Sequence, residues 1–449
     1  MKLNVNFDKI VGKIKPMNQA GQPPFAGGSF CFNFSFMDYL PKANIRYSRL
    51  HDVQGPFGSN RYVDIPNLFR NFDADETDEN NYDFTFTDLM IKEMVDRGLE
   101  PIFRLGVTIE NQAHIKAYHI HPPKDPAKWA RICEHVILHY NYGWANGFHY
   151  NIKYWEIWNE PDNNIPKLNQ MWTGTPEQFF ELYDVTAKHL KKCFGNDIKI
   201  GGYGVSGLYG IYYHPEKYGI DEPARAKDDC YDGFIHRVEF FLGFLEYITK
   251  NKSPIDFLSW HSYSCIEETL KLDSYIYKKL TEYGYGDVEM LLDEWNNSYD
   301  GKSFGKSESS ATTAGMMCAM QSSHTDMLCY YDTKLYSNPY CGFFRPVTGE
   351  PVCTYYSFVA FGELLALSSQ AECYFEDMEG EMYALASTDG EKKAILLVNN
   401  SNDAHRLSLN ADGDFKVYLV DETHFLSQIE VPLNDFVMDK RHVYLIKNY

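Results

Sequence analysis

Two short stretches carry the residues best suited to chemistry. YWEIWNEPD (154–162) sets Glu156 and Glu160 in an aromatic, β-branched run, with a proline after the second acid. LLDEWNNSY (291–299) ends a second apolar run in Asp293 and Glu294. Strand alternation puts Glu156 and Glu160 on one face and sends Asp293 and Glu294 to opposite faces. Two carboxylates brought together from different strands suit cleavage of a glycosidic bond, one giving a proton to the leaving oxygen while the other lies below the sugar ring. At a separation of about 5–5.5 Å the second attacks as a nucleophile and configuration is retained. The proton donor of such a pair is expected to have a raised pKa, from an apolar surround such as Trp158 and from the neighbouring carboxylate. Pro161 biases Glu160 toward extended backbone. Glu156 is expected a layer deeper than Glu160, where a buried carboxylate needs a partner; Arg49 or Arg104 would supply it.

These acids need a scaffold that brings distant strands together. Strand candidates run at 27–34, 45–51, 99–107, 152–159, 198–205, 255–263, 288–295 and 327–333, separated by amphipathic stretches such as PAKWARICEHVILHYNYGW and TPEQFFELYDVTAKHLKKCFG. Thr175 and Pro176 read as the N-cap and first position of the latter helix, and the glycine of CFGND as its stop. Eight strands, most followed by a helix, predict an α/β fold of the closed (β/α)8 TIM-barrel type, whose catalytic groups sit at the strands' C-terminal ends. An open doubly wound sheet would want a glycine-rich phosphate turn after its first strand, and none is present. Unusual polar groups recur at the predicted strand ends: Arg49-Leu50-His51-Asp52, Asn159-Glu160, His261-Ser262-Tyr263, Asp293-Glu294-Trp295 and Tyr330-Tyr331-Asp332. His51, His261 and Asp332 are candidates for binding hydroxyls. From about residue 368 the pattern becomes short alternating runs broken by DG and NNSND, which predicts a smaller antiparallel β-sandwich over 368–449, joined by a strand from residues 1–20. The barrel is then expected over 21–367.

The bulk properties narrow the partners. A formal net charge of −20 without a long basic block disfavours nucleic acid and anionic membrane surfaces. Ten cysteines without a CxxC pair, several inside apolar runs, read as reduced buried thiols rather than a disulfide framework or zinc site. His119 and His121 have a spacing that metal sites use, but no third ligand is near in sequence, and neither metal nor cofactor is expected. The N-terminus lacks the apolar segment of a signal peptide, and no run of about 18 apolar residues occurs. A cytoplasmic location is therefore expected, a trimmed signal aside. The acidic run DADETDENN (73–81) reads as a solvated loop. Long segments at 52–82, 160–175, 203–229 and 333–350 would crowd the barrel mouth into a pocket and favour removal of terminal sugars.

WEIWNEP resembles the acid/base motif of the retaining glycosidase clan with catalytic glutamates on strands four and seven, and LLDEWNNSY its nucleophile strand. With SRLHD, SWHSY and a C-terminal sandwich, the order of elements resembles glycoside hydrolase family 39, of β-xylosidases and α-L-iduronidases. The resemblance implies Glu160 as acid/base, Glu294 as nucleophile, and Asn159 on the sugar 2-hydroxyl. It implies His51 and His261 on other hydroxyls, Tyr263 orienting Glu294, and Arg49 holding the negative floor. Trp295, Tyr331 and Asp332 complete the candidate substrate contacts. Related barrels often carry a tryptophan on strand eight where this chain has Tyr330, Tyr331 and Asp332. A β-D-xyloside is the leading substrate by resemblance, with α-L-iduronide and α-L-arabinofuranoside open; a non-catalytic sugar-binding barrel and a metal-dependent aldolase or isomerase are the rivals. The resemblance admits a homo-oligomer as well as a monomer.

Overall fold

The computed structural model describes all residues except 28–31, 54–62, 109–119, 227–230, 297–300, 336–339 and 379. Eight parallel strands close into a barrel. They are β1 (Gln19–Ala20), β2 (Tyr47–Arg49), β3 (Glu100–Leu105), β4 (Tyr154–Ile157), β5 (Lys199–Val205), β6 (Phe257–Ser262), β7 (Glu289–Trp295) and β8 (Met327–Tyr330). Seven long helices follow β2 to β8 in turn: α1 (Thr85–Val95), α2 (Pro126–Tyr142), α3 (Pro176–Phe194), α4 (Asp232–Asn251), α5 (Ile266–Glu282), α6 (Ser307–Met320) and α7 (Cys353–Leu367).

The start of the barrel corrects the sequence reading. In the stretch 27–34, Ala26–Gly27 and Phe32–Asn33 pair as a small antiparallel hairpin, with 28–31 outside the described residues. The first barrel strand is instead Gln19–Ala20, before the expected boundary at residue 21. It has no apolar alternation to betray it. Gln19 is buried and its Oε1 accepts the backbone N–H groups of Arg46 and Tyr47, both at 2.8 Å, so a polar side chain helps tie β1 to β2.

Helix α3 shows how the remaining segments read so clearly. Thr175 accepts from the Gln178 N–H while Gln178 returns a bond to the Thr175 N–H, a reciprocal cap ahead of Pro176. Phe179, Phe180, Leu182, Tyr183, Ala187 and Leu190 form its buried stripe, and Gly195 ends it at φ +55°.

The C-terminal region forms one curled, mostly antiparallel sheet of nine strands. Its N-terminal member, Lys2–Lys13, lies antiparallel to Ser369–Glu376 and parallel to His405–Asn410. Leu3, Val5, Leu407, Phe436 and Ile446 meet in a core of the sheet's own. Strand Lys393–Asn399 is buried on both faces: Ile395 and Leu397 join that core, while Ala394, Leu396 and Val398 join the barrel's. Among the described residues, no helix is long and apolar enough to cross a membrane.

Candidate active site

The ends of β2, β4, β6 and β7 converge on Arg49, which is wholly buried. Its Nε donates to Glu156 Oε2 at 2.8 Å and lies 2.7 Å from Asp293 Oδ2. Nη1 donates to Glu294 Oε1 at 2.7 Å, and Nη2 to Asn159 Oδ1 at 2.6 Å. Ser259 Oγ completes the shell of Glu156 at 2.6 Å. Arg49 is thus the partner of Glu156. Arg104, its neighbour in register, turns to Asp64. Burial pushes Glu156 up to about 7, against the pull of Arg49. Removing a guanidinium that faces this many buried carboxylates would cost at least about 3–5 kcal/mol.

Asp293 does not obey simple alternation. The register of β7 slips against β6 between Leu292 and Glu294, and against β8 between Leu292 and Trp295. A bulge of this kind re-aims side chains, and Asp293 and Glu294 both face the interior. The same slip carries Trp295 into the wall, fully buried and edge-on to Tyr330 at 4.9 Å. It offers no accessible surface to a sugar.

His261 also departs from expectation. Its Nδ1 is 2.7 Å from Glu160 Oε1 and 3.5 Å from Glu294 Oε2, and its Nε2 is 3.3 Å from Asp293 Oδ1. Both nitrogens are spent on carboxylates and the ring is fully buried, so it joins acids rather than facing hydroxyls. Burial pulls its pKa down, but Glu294, Asp293 and Glu160 outweigh that and raise it well above the usual value. Gly204 makes room for this packing: at φ +64°, an added Cβ would meet Asn159 Oδ1 at 3.0 Å and His261 Nε2 at 3.1 Å.

Glu160 follows the strand rather than extending it. Its φ is +45° and that of Trp158 is +73°, conformations that cost non-glycine residues about 1–3 kcal/mol each. The Glu160 N–H binds the carbonyls of Tyr203 and Gly204 at 3.0 and 3.2 Å, and these bonds override the bias from Pro161. Trp158 turns outward, donating to the Met171 carbonyl at 3.0 Å and packing edge-on to Trp172. It is therefore not the apolar surround that was expected to raise Glu160. Burial alone would raise Glu160, but the His261 hydrogen bond and charge, with Arg237 and Asn163, bring it below the usual value. Glu294 moves the other way: burial and the Glu160 charge raise it, against His261 and Arg49.

The other predicted contacts gather around Glu294. Tyr263 Oη donates to its Oε2 at 2.7 Å. His51 Nε2 lies 3.8 Å from its Oε1, and burial with the charge of Arg49 holds the His51 pKa well below normal, leaving a neutral ring. Tyr331 Oη donates to Asp52 Oδ2 at 2.8 Å. Asp332, 2% exposed, lies 3.5 Å from Lys334 Nζ and is pushed up to about 6, mainly by burial. The rings of Tyr263, Tyr331 and Tyr340 form a cluster with centroids 5.1–6.1 Å apart. One donor atom each from Glu160, His261 and Glu294 lies within 4.8 Å of the other two. That trio has the residue types of a metal site, but a protonated imidazole presents N–H groups and no lone pair. His119 lies outside the described residues, and His121 Nδ1 is 2.7 Å from Thr173 Oγ1.

A model of glycosyl hydrolases family 39 matches residues 42–328, a stretch that runs from β2 into the start of β8 and includes both glutamates. The chain belongs to that family. This family 39 chain is 25% identical to a β-xylosidase of Caldicellulosiruptor saccharolyticus over 72% of its own length, and it spans 64% of that relative. A glucosidase from Croceicoccus marinus superposes with a TM-score of 0.75 at 20% identity, over 99% of this chain and 98% of the other. A family 39 β-xylosidase from Caulobacter crescentus gives 0.66 at 16% identity, over 100% and 99%. At these identities the structural likeness concerns the fold.

Several residues of the family 39 site escaped the sequence reading. Asn163 Nδ2 donates to Glu160 Oε2 at 2.6 Å, and Arg237 holds the Asn163 carbonyl at 2.8 Å. Asp52 was within the quoted SRLHD, and Asn163 stands three residues past Glu160, so proximity to the motifs was their only signal. Asp162, buried and bonded to Ser206, closes YWEIWNEPD, and Lys334 stands two positions after Asp332, so they too carried that signal alone.

Proposed function

We propose that the protein is a retaining glycosidase that releases terminal sugars from glycosides, β-D-xylosides first among them. The observation that carries the reading is the carboxylate pair: an oxygen of Glu160 lies within 4.8 Å of one of Glu294. That falls short of the about 6.5–9.5 Å separation of inverting pairs and lies near the about 5–5.5 Å of retaining ones, where the second carboxylate attacks directly. Glu294, held at both oxygens by Arg49 and Tyr263, attacks the anomeric carbon while the leaving oxygen takes a proton from Glu160. Glu160 then removes a proton from water, whose oxygen displaces Glu294 from the anomeric carbon. Before substrate binds, the carboxylates around His261 favour the proton of the His261–Glu160 pair on the imidazole. The 2.7 Å contact is the path by which it reaches Glu160 when the glycosidic oxygen arrives.

Asn159, its oxygen anchored by Arg49, keeps its Nδ2 donors for the 2-hydroxyl, and neutral His51 and Asp332 are placed for others. The β-xylosidase relative supports a pentoside. Arg49 and Lys334 are each engaged by the protein's own carboxylates, and Asp52 and Asp332 would repel a uronate, so a neutral sugar fits better than an iduronide. Action on chain ends rests on the length of the segments 52–82, 160–175, 203–229 and 333–350, parts of which lie outside the described residues. Efficient cleavage of internally linked polymer would contradict that part.

The test is Glu160→Gln on a panel of aryl and alkyl glycosides. Unactivated xylosides should lose about 10²–10⁴ in kcat, while a dinitrophenyl xyloside keeps a fast first step and azide rescues the second. Native turnover of the unactivated substrates would overturn the assignment.

A further inference from the structure

On the outer wall of the barrel, α2 and α3 bring three metal-binding side chains to one point. Glu134 belongs to α2, and His189 and Cys193 lie one turn apart on α3, a spacing that stacks them on one face. Glu134 Oε2 is 2.6 Å from His189 Nε2, and Cys193 Sγ is 3.8 Å from the same nitrogen. One donor atom from each lies within 4.8 Å of the other two. A tetrahedral zinc ion, with bonds of about 2.0–2.1 Å to N and O and about 2.3 Å to S, holds its ligand atoms about 3.3–3.6 Å apart. The Glu134–His189 edge reaches that length when the Glu134 carboxylate backs away by less than about 1 Å, and the Cys193–His189 edge is within a few tenths of an ångström of it. Glu134 and His189 are partly exposed and Cys193 is exposed, which leaves an entry path and a fourth position for water.

We infer that Glu134, His189 and Cys193 bind a zinc-class divalent ion that clamps α2 to α3. Binding releases the thiol proton to buffer, and the proton on His189 Nε2 leaves to solvent while Nδ1 keeps or takes up one, so the freed Nε2 lone pair binds the ion in place of the hydrogen bond to Glu134. Nothing in it depends on the glycosidase reading, because the three residues lie on helices outside the mouth.

Metal-stripped protein titrated with Co²⁺ should bind one equivalent and show a thiolate-to-metal charge-transfer band in the near ultraviolet. Cys193→Ser should lose that band, and both Cys193→Ser and His189→Ala should lose at least about tenfold in Zn²⁺ affinity. Cys265→Ser, at an exposed cysteine elsewhere, should retain both properties. Zinc at a hundredfold excess over the native Kd should raise Tm by about 3 °C in the native chain and by no more than about half of that in Cys193→Ser. Absence of the band in the native chain, or an unchanged band and affinity in Cys193→Ser, would show an ordinary surface ion pair beside a cysteine.

Discussion

At the residue scale, Glu160 and Glu294 can share so small a space only because cations stand between them. His261 and Arg49 neutralise part of the cluster, and the rest of the adjustment falls on the acids' pKa values. Asp162 is a clear case: fully buried, it is pushed up to about 7 by burial and by the charge of Glu160, although Ser206 binds it. From the ordinary aspartate value up to about 7, the folded chain keeps a proton that the unfolded chain has released. Stability from this group therefore falls as pH rises through that window, by about 1.4 kcal/mol per pH unit. Asp162→Asn removes the slope, so its Tm should drop less than that of the native chain between pH 5 and pH 8. Equal drops in both would mean that Asp162 is ionised throughout. The sequence could place Glu156 below Glu160 because alternation is geometric. It could not foresee that His261 reverses the pKa order of the two catalytic candidates, because that depends on which nitrogen faces which acid.

At the element scale, legibility followed local signals. The capping box of α3 was written in Thr175, Pro176 and Gln178, and the helix begins there. Thr175→Ala should cost about 1 kcal/mol, which in a chain this long is a fall of about 1 °C in Tm. Thr175→Ser should restore it, with kcat unchanged in both; an unchanged Tm in the alanine variant would show the cap to be redundant. Strand β1 has only two residues, one of them polar, and so gave no periodicity to read, while GGSFCFNF offered a better pattern and pairs elsewhere. The bulge in β7 was invisible for a related reason. Its signature is a slipped register against β6 and β8, which no single strand contains, and it decides that Asp293 points inward while Trp295 does not.

At the scale of the whole molecule, the curled sheet is bound into the barrel's core through Ala394, Leu396 and Val398. The run AILLV announced a strand, but its burial on two sides belongs to the assembled fold. Leu396→Ala should cost about 2–5 kcal/mol and lower Tm by about 2–5 °C without moving KM, as measured by thermal denaturation and xyloside kinetics. A KM change would mean that the sheet helps shape the mouth. The barrel joins strand ends that lie far apart in the chain, Arg49 and Glu294 at 245 positions among them, by hydrogen bonds. The division of labour between its two glutamates is tested most directly by trapping the enzyme with a 2-deoxy-2-fluoroxyloside carrying a good leaving group and mapping the adduct by peptide mass spectrometry. One fluoroxylosyl group on Glu294 is expected; a label on Asp293, Glu156 or Glu160, or hydrolysis of the substrate with inversion and no adduct, would contradict it.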